Sequence, residues 1–191
     1  MGSRNNGLQL IDPKNNTRVR LTFENGLIDN QIMAIIEDDL ENIWVATLAG
    51  VQKIDIKNKE LTNFTTNEGL ESKDVYDIAL NKGELFLGTS KGITILSNLN
   101  DGGKKLWNTK TLNSKQGIIG PDIAQNSIAF DKNDRLWAGG SPTRGLVVID
   151  EIKKDTTAYP AILTGINIMD KKRVFKDVNL LQEKRKNLDS I

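Results

Sequence analysis

The chain has no cysteine and no histidine among its 191 residues. Without cysteine there is no disulfide framework and no thiol nucleophile. Without histidine, a Ser-His-Asp triad, a His-ligated zinc and a phosphoaccepting histidine are excluded from this segment. Neither sign of charge is in excess, with 26 Lys and Arg against 25 Asp and Glu. That balance gives no electrostatic reason for a nucleic-acid or anionic-membrane partner. No apolar run approaches the ~18 residues that a membrane span needs. Residues 1–6, MGSRNN, read as an added leader rather than a signal peptide. The compartment stays open on these grounds alone.

What is present is 38% apolar residues, enough to build a core, and 16 glycines in a recurring register. Gly7-Leu8, Gly50-Val51 and Gly92-Ile93 fall 43 and then 42 residues apart, and Gly145-Leu146 follows after 53. Gly26-Leu27 and Gly69-Leu70 repeat at 43. An aromatic recurs as Trp44, Phe86 and Trp137 in NIWVAT, ELFLGT and RLWAGG. The longer last interval is assigned to two polar, Gly-rich insertions, SNLNDGGKK and LNSKQGIIGPDIAQ. A fixed period of this size marks a repeat architecture.

Each unit reads as four short strands. In residues 30–66, QIMAIIE is an apolar inner strand and DDLEN a turn. IWVAT alternates, with Trp44 and Ala46 on one face. VQKIDI is half-buried, KNKE is a hairpin turn and LTNFTT is a polar fourth strand. Such a unit leaves no room for a crossover helix and fits an antiparallel blade. The fold expected is all-β: a partial β-propeller of about three and a half blades. The units lie at 7–25 (the last two strands only), 28–66, 70–112 and 122–157. Gly50, Gly92 and Gly145 suit tight turns at φ > 0. Gly88 and Gly139, with Ala46 at the same place, would let neighbouring blades approach, with the aromatic filling the space between them.

GLIDNQIMAIIEDDLENIWVATLAGVQKID resembles the two-component regulator propeller repeat through Gly26, Leu27, Asn30, Asp38, Trp44, Thr47 and Gly50, among others. The second unit departs from the pattern, with Phe86 for Trp and no acidic pair. The resemblance spans residues 7–157. Residues 159–181, in the segment 158–191, resemble the opening strands of the three-tyrosine, immunoglobulin-like sandwich that follows these propellers. The resemblance implies a piece of the periplasmic sensor of a hybrid two-component system, responsive to an oligosaccharide. It also implies a homodimer in the parent receptor, and a membrane helix and kinase outside this segment.

The candidate ligand groups lie in the loops entering each first strand and in the turns between second and third strands. They are Asn30, Lys73, Lys91, Ser141 and Arg144, which could bond sugar hydroxyls, a uronate or a sulfate. EDDLEN and DKNDRLW lack the order of a calcium loop and read as turns. DGGKK and GIIG lack the strand-to-helix context of a phosphate loop. The tail 171–186, with seven Lys or Arg against two acids, reads as a solvated face. No metal, cofactor or catalytic residue is expected. The competing readings are a propeller-scaffold polysaccharide lyase or hydrolase and a stand-alone protein-interaction propeller.

Overall fold

The structure, a computed structural model, describes residues 1–101, 104–116, 118, 122–140, 145–150, 165–168 and 171–174. The chain divides into two units, Met1–Ile152 and Lys153–Ile191. The first is built of antiparallel sheets at the expected period. Strands β1 (Leu8–Asp12) and β2 (Thr17–Leu21) form a two-stranded sheet. Strands β3 (Ile32–Glu37), β4 (Ile43–Thr47), β5 (Gly50–Asp55) and β6 (Glu60–Phe64) form the first four-stranded blade in sequential order. Strands β7 (Val75–Asn81), β8 (Glu84–Thr89), β9 (Gly92–Asp101) and β10 (Lys104–Leu112) form the second. Strands β11 (Ile123–Phe130), β12 (Leu136–Gly140) and β13 (Leu146–Ile149) form the third sheet. In the second unit β14 (Gly165–Ile168) pairs antiparallel with β15 (Lys171–Val174). The other residues proposed for a three-tyrosine domain lie outside the described residues.

The opening residues, read from sequence as an added leader, are paired into the first sheet. Met1 and Gln9 exchange backbone hydrogen bonds at 2.8 Å in each direction. Gly2 bridges Leu8 and packs under Ile32 and Ile35 of β3. Within SNLNDGGKK, read as an insertion, residues 97–101 and 104–105 continue β9 and β10, and Asp101 pairs with Lys104.

The links between blades repeat as closely as the strands do. In TFENGL, Thr22 N–H donates to Asn25 Oδ1 at 2.6 Å, and Leu27 N–H to Thr22 O at 2.9 Å. In TTNEGL, Thr65 N–H donates to Glu68 Oε2 at 2.7 Å, and Leu70 N–H to Thr65 O at 3.0 Å. These are one-turn capping boxes, each closed by a glycine at positive φ (116° at Gly26, 99° at Gly69). Leu27 and Leu70 then drop into the core. Asn113 opens a third copy, with Ile118 N–H donating to Asn113 O at 3.1 Å and Ile118 buried. Thus Asn113 and Ile118, read from sequence as part of an insertion, hold the places of Thr22 and Leu27 in the first link.

The core lies between successive sheets. Leu8, Leu27, Ile32, Val45 and Ile54 fill the first interface. Trp44, Val51 and Phe64 meet Val75, Leu85 and Leu87 in the second. Phe86, Ile93 and Ile95 meet Ile123, Leu136 and Ala138 in the third. Trp44 is 1% exposed and sits 5.4 Å from both Phe64 and Trp107, ring centre to ring centre. The aromatic therefore fills the inter-blade space, as its repeat position implied. Gly88 allows the close approach expected of it: a Cβ there would stand 2.7 Å from Ile123 Cγ2.

Candidate functional site

Antiparallel register fixes which loops share an end. Ile32 pairs with Thr47, and Thr47 with Gly50, so the entry to β3 and the β4–β5 turn are neighbours. Val75, Thr89 and Gly92 repeat this in the second blade. In both blades the turn is stapled by a buried threonine. Thr47 Oγ1 donates to Gly50 O, and Thr89 Oγ1 to Gly92 O, each at 2.8 Å.

This end carries three of the five sequence candidates, and they are not alike. Asn30 is structural: its Oδ1 accepts Phe23 N–H at 2.8 Å and its carbonyl accepts Gly7 N–H at 3.0 Å. Lys73 and Lys91 are exposed, on adjoining loops joined by a 2.8 Å bond between Ser72 Oγ and Ser90 Oγ. The structure brings these two lysines to one place. Ser141 and Arg144 lie outside the described residues.

Sequence reading placed the inner strands but not their bulges. Each has a bulge near this end: between Ile32 and Ala34, between Val75 and Asp77, and between Ile123 and Ile128. Bulges re-aim side chains and concentrate beside functional sites. The extra residues are Met33, Tyr76 and the stretch 124–127. Gln125 ties two bulges together, its Nε2 donating to Met33 O at 3.0 Å, while Arg4 Nη2 donates to Gln125 Oε1 at 2.9 Å. Asp77, 5% exposed, holds the largest bulge: its Oδ2 accepts Ser127 N–H at 2.6 Å and Ile128 N–H at 2.7 Å. The first blade has Ala34 at that position.

Tyr76 is half-buried at this rim. Burial, and then the nearby carboxylates of Asp74 and Asp122, push its hydroxyl above the usual phenol range. The hydroxyl stays protonated at neutral pH and can both donate and accept. Tyr76, Asp74, Lys73 and Lys91 thus gather an aromatic ring, an acceptor and two cations on one blade end. Such a set can hydrogen-bond a hydroxyl-rich molecule. A sequence signal existed: Tyr76 follows Val75, where the strict alternation of β7 breaks.

Among the described residues, two further concavities lie elsewhere. One of about 110 Å³, lined by Leu40, Trp44 and Trp107 among others, is below the ~300 Å³ at which ligand pockets begin. The other, about 340 Å³, opens beside Met1, Asn6 and Arg20. The acidic turns are occupied internally. Asp38 accepts Trp44 Nε1–H at 2.8 Å and the N–H groups of Leu40 and Asn42 at 2.9 Å. Asp131 does the same for Trp137, Asn133 and Arg135. Among the described residues no helix is long and apolar enough to cross a membrane.

Comparison with known proteins agrees with this architecture. Residues 26–49, from the link into β3 through the turn after β4, match the family model described as the two component regulator propeller. No curated protein sequence matches the chain. Among solved structures, the extracellular domain of BT3049 from B. thetaiotaomicron, described as a hybrid two component system, is similar with a TM-score of 0.62 at 22% identity. The similarity covers 88% of this chain and 23% of that one. The extracellular domain of BT4673 from the same organism, also described as a hybrid two component system, gives a TM-score of 0.58 at 18% identity, over 90% of this chain and 21% of that one. The chain spans less than a quarter of these structures. Its described residues form an all-β, propeller-like array of antiparallel sheets, and residues 26–49 match the two component regulator propeller model.

Proposed function

We propose that this chain is part of the ligand-sensing, extracytoplasmic region of a two-component signalling receptor, that it is non-catalytic, and that its ligand is an oligosaccharide. The match of residues 26–49 to the two component regulator propeller carries this reading. Likeness in fold to domains described as extracellular supports it. The ligand meets the rim around Tyr76, Lys73 and Lys91, and residues 158–191 belong to a three-tyrosine domain. Ligand binding acts by population shift. It favours one arrangement of a receptor homodimer, and it can bias the output only by its difference in affinity between the two arrangements.

Calorimetric titration of the full chain with neutral, uronate-containing and sulfated oligosaccharides tests the ligand class. One class should bind, and Tyr76→Phe or Lys73→Ala should weaken it about tenfold, or ~1.4 kcal/mol. Failure of all three classes to bind at millimolar concentration would overturn the oligosaccharide reading. A hydrolase is the second reading because two carboxylates, Asp74 and Asp122, approach Tyr76. Cleavage of any oligosaccharide, abolished by Asp74→Asn or Asp122→Asn, would replace sensing with catalysis.

A further inference from the structure

The three inner strands align by register. Ile35, Ile78 and Ile128 pair with Val45, Leu87 and Ala138, each of which directly follows the repeated aromatic. Two residues back from these isoleucines stand Met33, Tyr76 and Asn126. All three lie within the bulges, so Asn126 takes on the third sheet the place that Tyr76 takes on the second. Its backbone sets it apart. Among the described residues, the non-glycines Asn16, Glu41, Lys59, Lys82 and Asp134 have positive φ in hairpin turns, whereas Asn126, at 53°, has it within a strand. Its neighbours fix it there. Asp77 Oδ2 holds the N–H groups of Ser127 and Ile128. Ser127 Oγ reaches Ala124 O at 2.6 Å and Gly139 O at 2.9 Å. Gln125 is tied to Met33 and Arg4. The side chain of Asn126 is exposed and bonds none of the described residues. Residues held in this conformation by over-determined surroundings cluster at ligand sites.

We infer that Asn126 is a ligand-binding residue of the rim around Tyr76, and that the group it holds is a pair of adjacent hydroxyls on an uncharged sugar ring. The inference rests on the oligosaccharide reading above and narrows it. A primary amide donates from Nδ2 and accepts at Oδ1, so it can bridge two neighbouring hydroxyls. Tyr76, on the adjoining inner strand, adds a half-buried ring and a hydroxyl. The carboxylates of Asp74 and Asp122 act on that hydroxyl, and the same field opposes a uronate or sulfate brought to this spot. Lys73 and Lys91 then serve as donors to further hydroxyls of the same molecule.

Calorimetric titration of the full chain tests this with cellohexaose, mannohexaose and xylohexaose as neutral probes, and with hexagalacturonate and a sulfated carrageenan hexasaccharide as anionic ones. A neutral probe should bind, and Asn126→Gly should weaken it on the order of tenfold. Glycine adopts positive φ freely, so the thermal midpoint of this variant should stay level or rise. An asparagine needed only for its backbone conformation would give way to glycine with no loss of affinity. That result would overturn the assignment of Asn126 and leave the oligosaccharide reading standing. Binding of an anionic probe alone would overturn the uncharged class and also leave that reading standing. Silence of every probe would overturn both. If Asn126→Gly does not fold, the wild-type chain still decides. In its nitrogen–proton NMR spectrum the side-chain amide of Asn126, assigned with Asn126→Asp, should shift on saturation with the neutral probe. The amides of Asn15 and Asn58, in hairpin turns at the other end of their sheets, should stay in place. An Asn126 amide that does not move would overturn the inference.

Discussion

The indole N–H of Trp44 and the Oδ2 of Asp38 are 2.8 Å apart, and Trp137 and Asp131 repeat the pair at 2.9 Å. The second blade has neither half: Phe86 carries no N–H, and its hairpin turns through Lys82 and Gly83 at positive φ instead. Acid and indole occur together because a buried N–H without an acceptor is costly. Asp38 also accepts two backbone N–H groups of its turn, so Asp38→Ala should destabilise by about 2–3 kcal/mol. In a Trp44→Phe background the same change should cost about 1 kcal/mol less. Urea denaturation of the four proteins of that cycle measures the coupling. Additive losses would show that the indole bond contributes nothing.

The same carboxylates set an acid limit. Burial pushes Asp38 up, but hydrogen bonds from Trp44, Asn42 and Leu40 outweigh it and hold the group below the ordinary carboxylate value. The Trp137 indole, and then Arg135, hold Asp131 well below that range. A carboxylate depressed in the folded state contributes stability that is fully present above its unfolded pKa. That contribution is lost as pH falls through the lower folded value. The thermal midpoint should therefore be flat through neutral pH and fall below about pH 4. Asp131→Asn should be less stable at pH 7 and show a shallower acid slope.

The repeat is legible in the sequence because its period rests on residues with a single local job. Gly50 and Gly92 turn at positive φ, and Trp44 and Phe86 fill gaps between blades. The turn after β10 is hidden because Asn113 stands where Thr22 and Thr65 do, and Ile118 replaces leucine. The same geometry is written in different letters. The rim around Tyr76 is hidden for another reason. A bulge adds residues to one strand of a pair, and its effect is to bring together side chains far apart in sequence, such as Arg4 and Gln125. Loop position points to a ligand role for Asn30, yet its side chain serves the link beside it. Loop position alone does not separate a capping amide from a binding one.

Volume is conserved across the blade interfaces. Gly2 and Gly88 stand beneath isoleucines, Ile32 and Ile123. At the intervening interface Ala46 shares its core cluster with the smaller Val75. Gly88→Ala places a methyl 2.7 Å from Ile123 Cγ2 and 2.9 Å from Ile128 Cδ1, and should cost about 1–3 kcal/mol. Adding Ile128→Val, which removes that Cδ1, should recover part of the loss. A control separates packing from backbone strain. At Gly83, φ is +76° and an added methyl would have nothing within 4 Å. Gly83→Ala should therefore cost about 1 kcal/mol, and Ile128→Val should not rescue it. Equal rescue of both variants would refute the volume argument.

Asp77 is the point at which the second blade departs from the repeat to fit its neighbour. β7, which packs beside β3, bulges by one residue, and the first blade needs only Ala34 at this position. β11 slips between Ile123 and Ile128, and the slip turns the N–H groups of Ser127 and Ile128 away from β12. Both donate to Asp77 Oδ2, while Oδ1 accepts Ile78 N–H at 2.9 Å. Three backbone donors thus depend on one side chain that can only accept. Asp77→Ala strands all three in a dry interface and should cost about 3–5 kcal/mol. Asp77→Asn should lose less, since its carbonyl can still accept from Ser127 and Ile128 and only Ile78 N–H faces the amide donor. Amide hydrogen exchange distinguishes this from a general loss of stability. Ser127 and Ile128 should lose protection by more than the global change, whereas the amides of β4 and β5 should follow the global change alone. Uniform loss across all blades would mean that Asp77 does not hold the bulge.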